Sequence, residues 1–355
     1  MSAETQVVVA ERWLSESVRR VFEAEGFSPA AAGRVADVLV GADLAGVTSH
    51  GTMLVPMYVD RLRTGSVSRR EEGEVVHRHG AVAVLDAHHA LGQLTGHQAM
   101  ALAIESAGEH GLGMTVVRHA FHFGRASSYA EQAAAAGCIG IAMSNTRPLM
   151  PAPGGAEPVV GNNPLAIVAP TPAGPVALDM ALSEAALGKI RLAEAAGTPI
   201  PETWATDAAG NPTTDAAEAV AGMLLPTGGP KGFGLALMVD VLTGVLSGGA
   251  SGAGVRGLYA DMSVPNDCAH MFLAIHVGHF GDAAGFDQRV GALMDFVVGS
   301  RPRDGVPSVV LPGQRESERA QQQRAEGVVL PRAVLEALRA TADEVGASLP
   351  EGAAA

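Results

Sequence analysis

The chain has 355 residues, 47% of them hydrophobic, which is enough to bury a large core and suits two closely packed domains better than one. Its formal charge is −13, and its 24 Lys and Arg form no basic run, which argues against a nucleic-acid surface and for small-molecule partners. With only Cys138 and Cys268, each in an apolar segment, a cysteine-cluster zinc site is excluded, and a reducing cytoplasm without a disulfide framework is expected.

The first residues, Met1 to Gln6, lack the basic-then-apolar plan of a signal peptide, and no apolar run reaches the ~18 residues of a membrane span. Residues 10–46 predict two helices. In the first, Leu14, Val18, Val21 and Phe22 recur at helical spacing; in the second, Ser28 stands as N-cap with Pro29 at the first helical position. A third amphipathic segment, Val55 to Leu62, follows the stretch Gly46-Val47-Thr48-Ser49-His50-Gly51. Here a hydroxyl and an imidazole sit side by side between glycines, on a loop held by helices. Imidazole is the side chain that exchanges protons near neutral pH, and glycine admits close approach of backbone and substrate. A turn with a capping hydroxyl is the alternative reading.

From about residue 76 short β-branched runs alternate with Ala-rich helical ones. Strands are expected at 81–85, 114–117 and 138–143, with helices at 96–109 and 127–136. Two apolar runs, 165–169 and 176–178, flank a Pro/Gly turn as a hairpin would, so the expected sheet is mixed, in an α/β fold. Helices at 184–195, 233–246 and 286–299, a strand at 271–277, an extended run Ser308 to Leu311 and a closing helix at 331–345 complete the pattern. The charge-dense run Arg315 to Arg324 reads as a solvated face.

Gly252-Ala253-Gly254-Val255-Arg256-Gly257 satisfies the bare dinucleotide fingerprint, but a helical segment precedes it where a strand should, and it reads as a turn. His119 and His122 fall where a strand gives way to a helix, a common ligand position; a metal there would need ligands that the neighbouring sequence does not fix, so no metal is expected. Gly161-Asn162-Asn163-Pro164, Asp179-Met180-Ala181 and Gly228-Gly229-Pro230-Lys231-Gly232 are loops at strand ends or helix starts, the last a possible anion cradle.

Taken in order, these motifs resemble the malate/L-lactate dehydrogenase-like family of NAD(P)-dependent oxidoreductases, over nearly the whole chain. The resemblance runs from Ala42 to Gly51 and through His122-Phe123-Gly124, then Pro151 to Pro164, Leu178 to Ala181 and Ile200 to Asp215. It resumes from Gly229 to Leu235 and closes at Leu311 to Gln314. It implies a mixed central sheet without the usual glycine fingerprint, N- and C-terminal helical regions packed together, and a homodimer. The expected regions are 1–75 with the Ser-His loop, 76–315 for NAD or NADP, and 316–355 packing on the first.

By the same resemblance His50 is the acid/base, with Ser49 orienting it. His122 is a cofactor contact or a second acid/base. Cofactor contacts are expected from Phe123, Gly124, Thr146, Asp179, Met180, Ala181, Lys231, Pro312, Gly313 and Gln314. The chain departs from the family pattern at two substrate positions: Leu54 replaces an arginine four residues after the loop histidine, and Asn162 replaces a threonine. Arg147 is the candidate to supply the missing anion contact, with a cofactor contact or solvent exposure as its other readings. Lys189 fits hydroxy-acid rather than cyclic-imine chemistry. A small ketone or its secondary alcohol is the expected substrate, with a cyclic imine, or cofactor binding without catalysis, as alternatives.

Overall fold

The computed structural model describes residues 6–352, so residues 1–5 of the stretch read for a leader lie outside it. Strand β1 (Gln6–Val9) leads into α1 (Glu11–Ala24), whose Leu14, Val18, Val21 and Phe22 are buried as their spacing predicts. Helix α2 (Pro29–Leu44) starts at the expected signal: Ser28 Oγ accepts the Ala31 N–H, satisfying one of the first turn's free donors. Two 3-10 turns, Thr48–His50 and Thr52–Leu54, carry the chain to α3 (Val55–Thr64).

The alternating middle of the chain then builds a layered α/β unit. Its elements are β2 (Glu74–His79), β3 (Val82–Asp86), α4 (Gly92–His110), β4 (Leu112–Ala120), α5 (Ser127–Ala135) and β5 (Cys138–Ser144). A small ribbon, β6 (Met150–Pro151) and β7 (Pro158–Val160), precedes the predicted hairpin of β8 (Leu165–Ala169) and β9 (Val176–Met180). Helices α6 (Leu187–Ala196), α7 (Ala216–Ala221) and α8 (Pro230–Asp240) follow, the last running on into a π turn, Val241–Val245. Strand β10 (Cys268–His276) and helix α9 (Ala283–Val298) complete this part.

The seven-stranded sheet has the order β2-β3-β4-β10-β5-β8-β9. β3 and β4 run parallel and the other pairs antiparallel, so the sheet is mixed as predicted. Helices α4 and α5 lie close on it because two strand positions lack a side chain. A Cβ at Gly113 would stand 2.1 Å from the Ala103 carbonyl oxygen, and one at Gly140 2.4 Å from that of Ala130. Ser308 to Leu311, expected as extended structure, pairs with no strand; Pro307 and Pro312, which lack an N–H, bracket it.

The C-terminal part returns to the start. Helix α10 (Gln314–Glu326) leads to β11 (Val328–Pro331), which pairs antiparallel with β1, and α11 (Arg332–Val345) shares one apolar core with α1, α2 and α3. Among the described residues no helix is long and apolar enough to cross a membrane.

Candidate active site

One cleft of about 1430 Å³ opens between the helical region, the ends of the sheet strands and α10. It exceeds the roughly 300–1,000 Å³ typical of a pocket for one small ligand. Ser49, His50, His122, Phe123, Gly124, Thr146, Arg147, Asn162, Asp179, Met180, Ala181, Pro312 and Gly313, scattered over more than 260 residues, all line it.

Four residues singled out in the sequence do not. Leu54 is only 3% exposed and packs in the helical core, since an apolar side chain on that 3-10 turn gains more from the core than from a polar cleft. Lys231 is exposed on the first turn of α8, outside the cleft of its own chain. Gln314 braces the turn instead of lining the cleft: its Oε1 accepts the Leu311 N–H at 3.0 Å and its Nε2 donates to Glu318 at 2.8 Å. Lys189, on α6, is exposed and also outside the cleft.

The Ser-His loop is fixed from behind by Asp43. This carboxylate, buried on α2, accepts the Thr52 N–H at 2.8 Å and lies so close to Gly51 that a Cβ there would sit 2.0 Å from its Oδ1. Burial raises Asp43 to about 6, opposed by the Thr52 hydrogen bonds. Glycine is therefore needed at 51 for space, not for a left-handed backbone. In front, Ser49 Oγ and His50 Nδ1 are 2.9 Å apart, leaving Nε2 for a ligand. Burial lowers the pKa of His50 and Arg125 adds to this, while Asp179 opposes it. The imidazole is thus neutral near pH 7, the form that accepts a proton.

His122 faces His50, with ring centroids 5.5 Å apart. Gln93 Nε2 donates to Tyr58 Oη at 2.7 Å, so that hydroxyl directs its single proton to His122 Nδ1, also at 2.7 Å. The neutral ring accordingly carries its own proton on Nε2. Burial first, then the neighbouring His50 and His270, push His122 down to about 3. The two histidines that the sequence places three apart go separate ways: His122 joins Tyr58, and His119 bonds to Asp267.

The walls are held by polar side chains, of which Arg61, Asn145 and Asn163 are buried; Arg61 and Asn145 carry no local sequence signal. Arg61 is fully buried without a carboxylate partner and donates instead to the carbonyls of Gly257, Leu258 and Val264, fixing the wall that carries Tyr259. Asn145 donates to Asp240 and to the Ala250 carbonyl, both at 2.9 Å, and accepts the Ala269 N–H at 2.8 Å. Asn163, in the left-handed region at φ 21°, accepts the Thr146 N–H at 2.8 Å, while Thr146 Oγ1 donates to Asn162 at 2.9 Å. Asp179 accepts the Ser127 N–H at the start of α5 at 2.9 Å.

The lining suits an anionic dinucleotide. It holds six arginines (Arg34, Arg125, Arg147, Arg191, Arg256, Arg324) against four acids (Asp37, Glu131, Asp179, Glu316), a local excess of cations in an anionic chain. At the start of α5, Arg125 Nε and Ser127 Oγ are buried without hydrogen-bond partners, donors matched to phosphate oxygens. Gly313 has φ 78°, and a Cβ there would press on Ala177, so the chain approaches β9 closely at that end of the cleft.

Comparison with known proteins agrees with this geometry. Residues 9–339 match the family model described as malate/L-lactate dehydrogenase. The malate dehydrogenase of Pyrococcus horikoshii is 36% identical over 351 residues, covering 97% of both chains, and its solved structure superposes with a TM-score of 0.89, covering 99% of both at 34% identity. The L-sulfolactate dehydrogenase of Methanocaldococcus jannaschii is 38% identical over 317 residues, 89% of this chain and 91% of that one; its structure gives a TM-score of 0.92, with 97% and 98% covered. The ureidoglycolate dehydrogenase (NAD(+)) of Escherichia coli is 36% identical over 298 residues, 84% of this chain and 85% of its own. With a family match spanning most of the chain and relatives alike from end to end, the chain belongs to the malate/L-lactate dehydrogenase family and is an NAD(P)-dependent dehydrogenase.

Proposed function

We propose that the chain interconverts a small 2-hydroxy acid and its ketone, with His50 as the acid/base of the reaction. A bound nicotinamide supplies or takes the hydride. The alcohol proton passes to the neutral His50 at Nε2 in oxidation and returns from it in reduction. Nδ1 carries a proton in both states of this transfer, so Ser49 Oγ accepts from Nδ1–H throughout and holds the ring's tautomer and orientation. His122, tied to Tyr58, stays neutral and offers its Nε2–H, which suits an orienting donor to cofactor or substrate. Arg125, Ser127 and the Pro312-Gly313 turn would hold the cofactor's phosphates and ribose side. Arg147, exposed on the cleft wall, is the candidate grip for the substrate carboxylate.

The observation that carries this reading is the Ser49–His50 pair facing His122 inside a cleft lined by an excess of arginines. The test is consumption of NADH or NADPH, followed by near-ultraviolet absorbance, across 2-oxo acids and cyclic imines. His50→Asn should lower kcat by roughly 10²–10⁴ while cofactor binding, read by thermal shift, is kept. Turnover of imines without turnover of 2-oxo acids would replace the reading with ketimine reduction. Cofactor binding with no turnover of any substrate would leave a binding protein.

A homodimer and a cytoplasmic location belong to the same reading. Helix α9 buries no side chain in its own chain yet carries Leu293 and Phe296, the latter 78% exposed, and Phe280, just before the helix, is 72% exposed. Such an apolar face fits a second copy, and both cysteines are free and buried. Phe296→Asp should shift the chain to a monomer in light scattering.

A further inference from the structure

The sequence offers His119 no partner nearby, but the fold brings it two. His89 from the β3–α4 loop, His119 at the end of β4 and Asp267 before β10 place three donor atoms within 4.8 Å of one another. His119 Nδ1 lies 3.0 Å from Asp267 Oδ1, and His89 Nδ1 lies 4.0 Å from the same oxygen. The two rings are 5.6 Å apart at 64°.

The backbone holds this arrangement in place. The His89 N–H donates to the His119 carbonyl at 2.7 Å, and the Ala87 N–H to that of Arg118 at 2.9 Å, zippering the loop onto β4. Asp86 secures both sides, accepting from the His88 N–H and from Arg118 Nε at 3.0 Å each. All three donor residues have left-handed backbone, with φ of 56°, 49° and 55°. Only five non-glycine residues among those described do so, which makes the concentration here notable. His89 Nδ1 is buried and has no hydrogen-bond partner, because the carboxylate it faces is out of its reach.

We propose that His89, His119 and Asp267 form a binding site for a divalent transition metal of the zinc class, separate from the catalytic cleft. Two imidazole nitrogens and one carboxylate oxygen are the donors such an ion takes, with water as the fourth ligand. Bonds of about 2.0–2.1 Å set tetrahedral ligands about 3.3 Å apart, and the 3.0 and 4.0 Å separations bracket that value. For the His89–Asp267 pair the remaining shift is less than about one ångström, the His89 and His119 donor atoms stand within 4.8 Å of each other, and side-chain exposures of 29–37% leave room for the ion and its water. The bound ion would clasp the segment carrying Asn266 and Cys268, which line the cleft, to the strand end three residues before His122.

The test titrates chelator-treated protein with Co²⁺, whose visible d–d bands report imidazole and carboxylate coordination, and then with Zn²⁺ as competitor. Wild-type protein should show bands that saturate at one equivalent and are displaced by Zn²⁺. Zn²⁺ should also raise its melting temperature. Asn adopts left-handed backbone more readily than other non-glycine residues, so His89→Asn and Asp267→Asn preserve the fold while removing a ligand. Both should match wild type in melting temperature without metal, lose the Zn²⁺-dependent rise, and bind Co²⁺ more than about tenfold more weakly. His122→Asn, at the cleft, should keep the bands. No bands in wild type, bands that survive both ligand variants, or bands lost in His122→Asn would each overturn the site.

Discussion

Gly51→Ala tests whether the catalytic loop is positioned from behind. The new Cβ would stand 2.0 Å from Asp43 Oδ1 and 2.4 Å from its Cγ, so the carboxylate must withdraw by more than about one ångström inside a core where it is 1% exposed. Overpacking of this kind costs about 1–3 kcal/mol, and losing the charge-assisted Thr52 N–H bond adds about 1.5–3, giving roughly 2.5–6 kcal/mol. Against a total stability of about 5–15 kcal/mol, the chain should still fold, with its loop displaced. A displacement of that size at His50 should lower kcat/KM by as much as about 10². Asp43→Ala removes the obstruction, and Gly51 has extended, not left-handed, backbone that alanine adopts freely. In that background Gly51→Ala should therefore cost almost nothing. Urea denaturation of the two single variants and the double variant gives the coupling, expected to equal nearly the whole cost of Gly51→Ala alone, about 2.5–6 kcal/mol. Costs that add to within about 0.5 kcal/mol would refute the claim that Asp43 and Gly51 share one space.

Acid should destabilise the fold through its buried neutral histidines. Burial holds His122 at about 3 and His270 at about 4, below the ~6.5 of an exposed imidazole, so the unfolded chain binds more protons as pH falls below 6.5. Each group then removes about 1.4 kcal/mol per pH unit down to its folded value. Melting temperature should fall between pH 6.5 and 4, and His270→Gln should flatten that slope. Arg147→Ala should raise KM for accepted acids about tenfold or more with little change in kcat, in steady-state kinetics. An unchanged KM for every acid would remove Arg147 from the substrate role.

The elements were legible wherever period and punctuation agreed. Ser28-Pro29 marked the start of α2, the Pro/Gly turn marked the β8–β9 hairpin, and the loops that converge on the cleft were recognisable by order and spacing. What stayed hidden depends on partners distant in sequence. Asn145 bonds to Asp240, Arg61 to carbonyls almost 200 residues away, and Tyr58 to Gln93 and His122; none of these residues sits in a periodic or punctuated pattern that would announce its partner. Short strands such as β1 were missed for the same reason, because β1 exists only by pairing with β11. Side-chain direction was hidden too. Leu54 occupies a position that the family resemblance links to substrate, but a 3-10 turn rotates it into the core.

That rotation separates two properties that an arginine at position 54 would join. A guanidinium on the loop that carries His50 would place charge grip and proton transfer on one element, so that altering either would disturb both. Here the cleft's arginines stand elsewhere: Arg147 follows β5, Arg256 lies on the wall held by Arg61, and Arg191 is on α6. His50 is fixed independently of them, by the Asp43–Gly51 contact and the two 3-10 turns. Substitutions on the arginine-bearing walls can therefore change which anion is held without moving the imidazole. By the same logic, changes at Asp43 or Gly51 should lower turnover of every substrate alike, while changes at Arg147 should act selectively through KM.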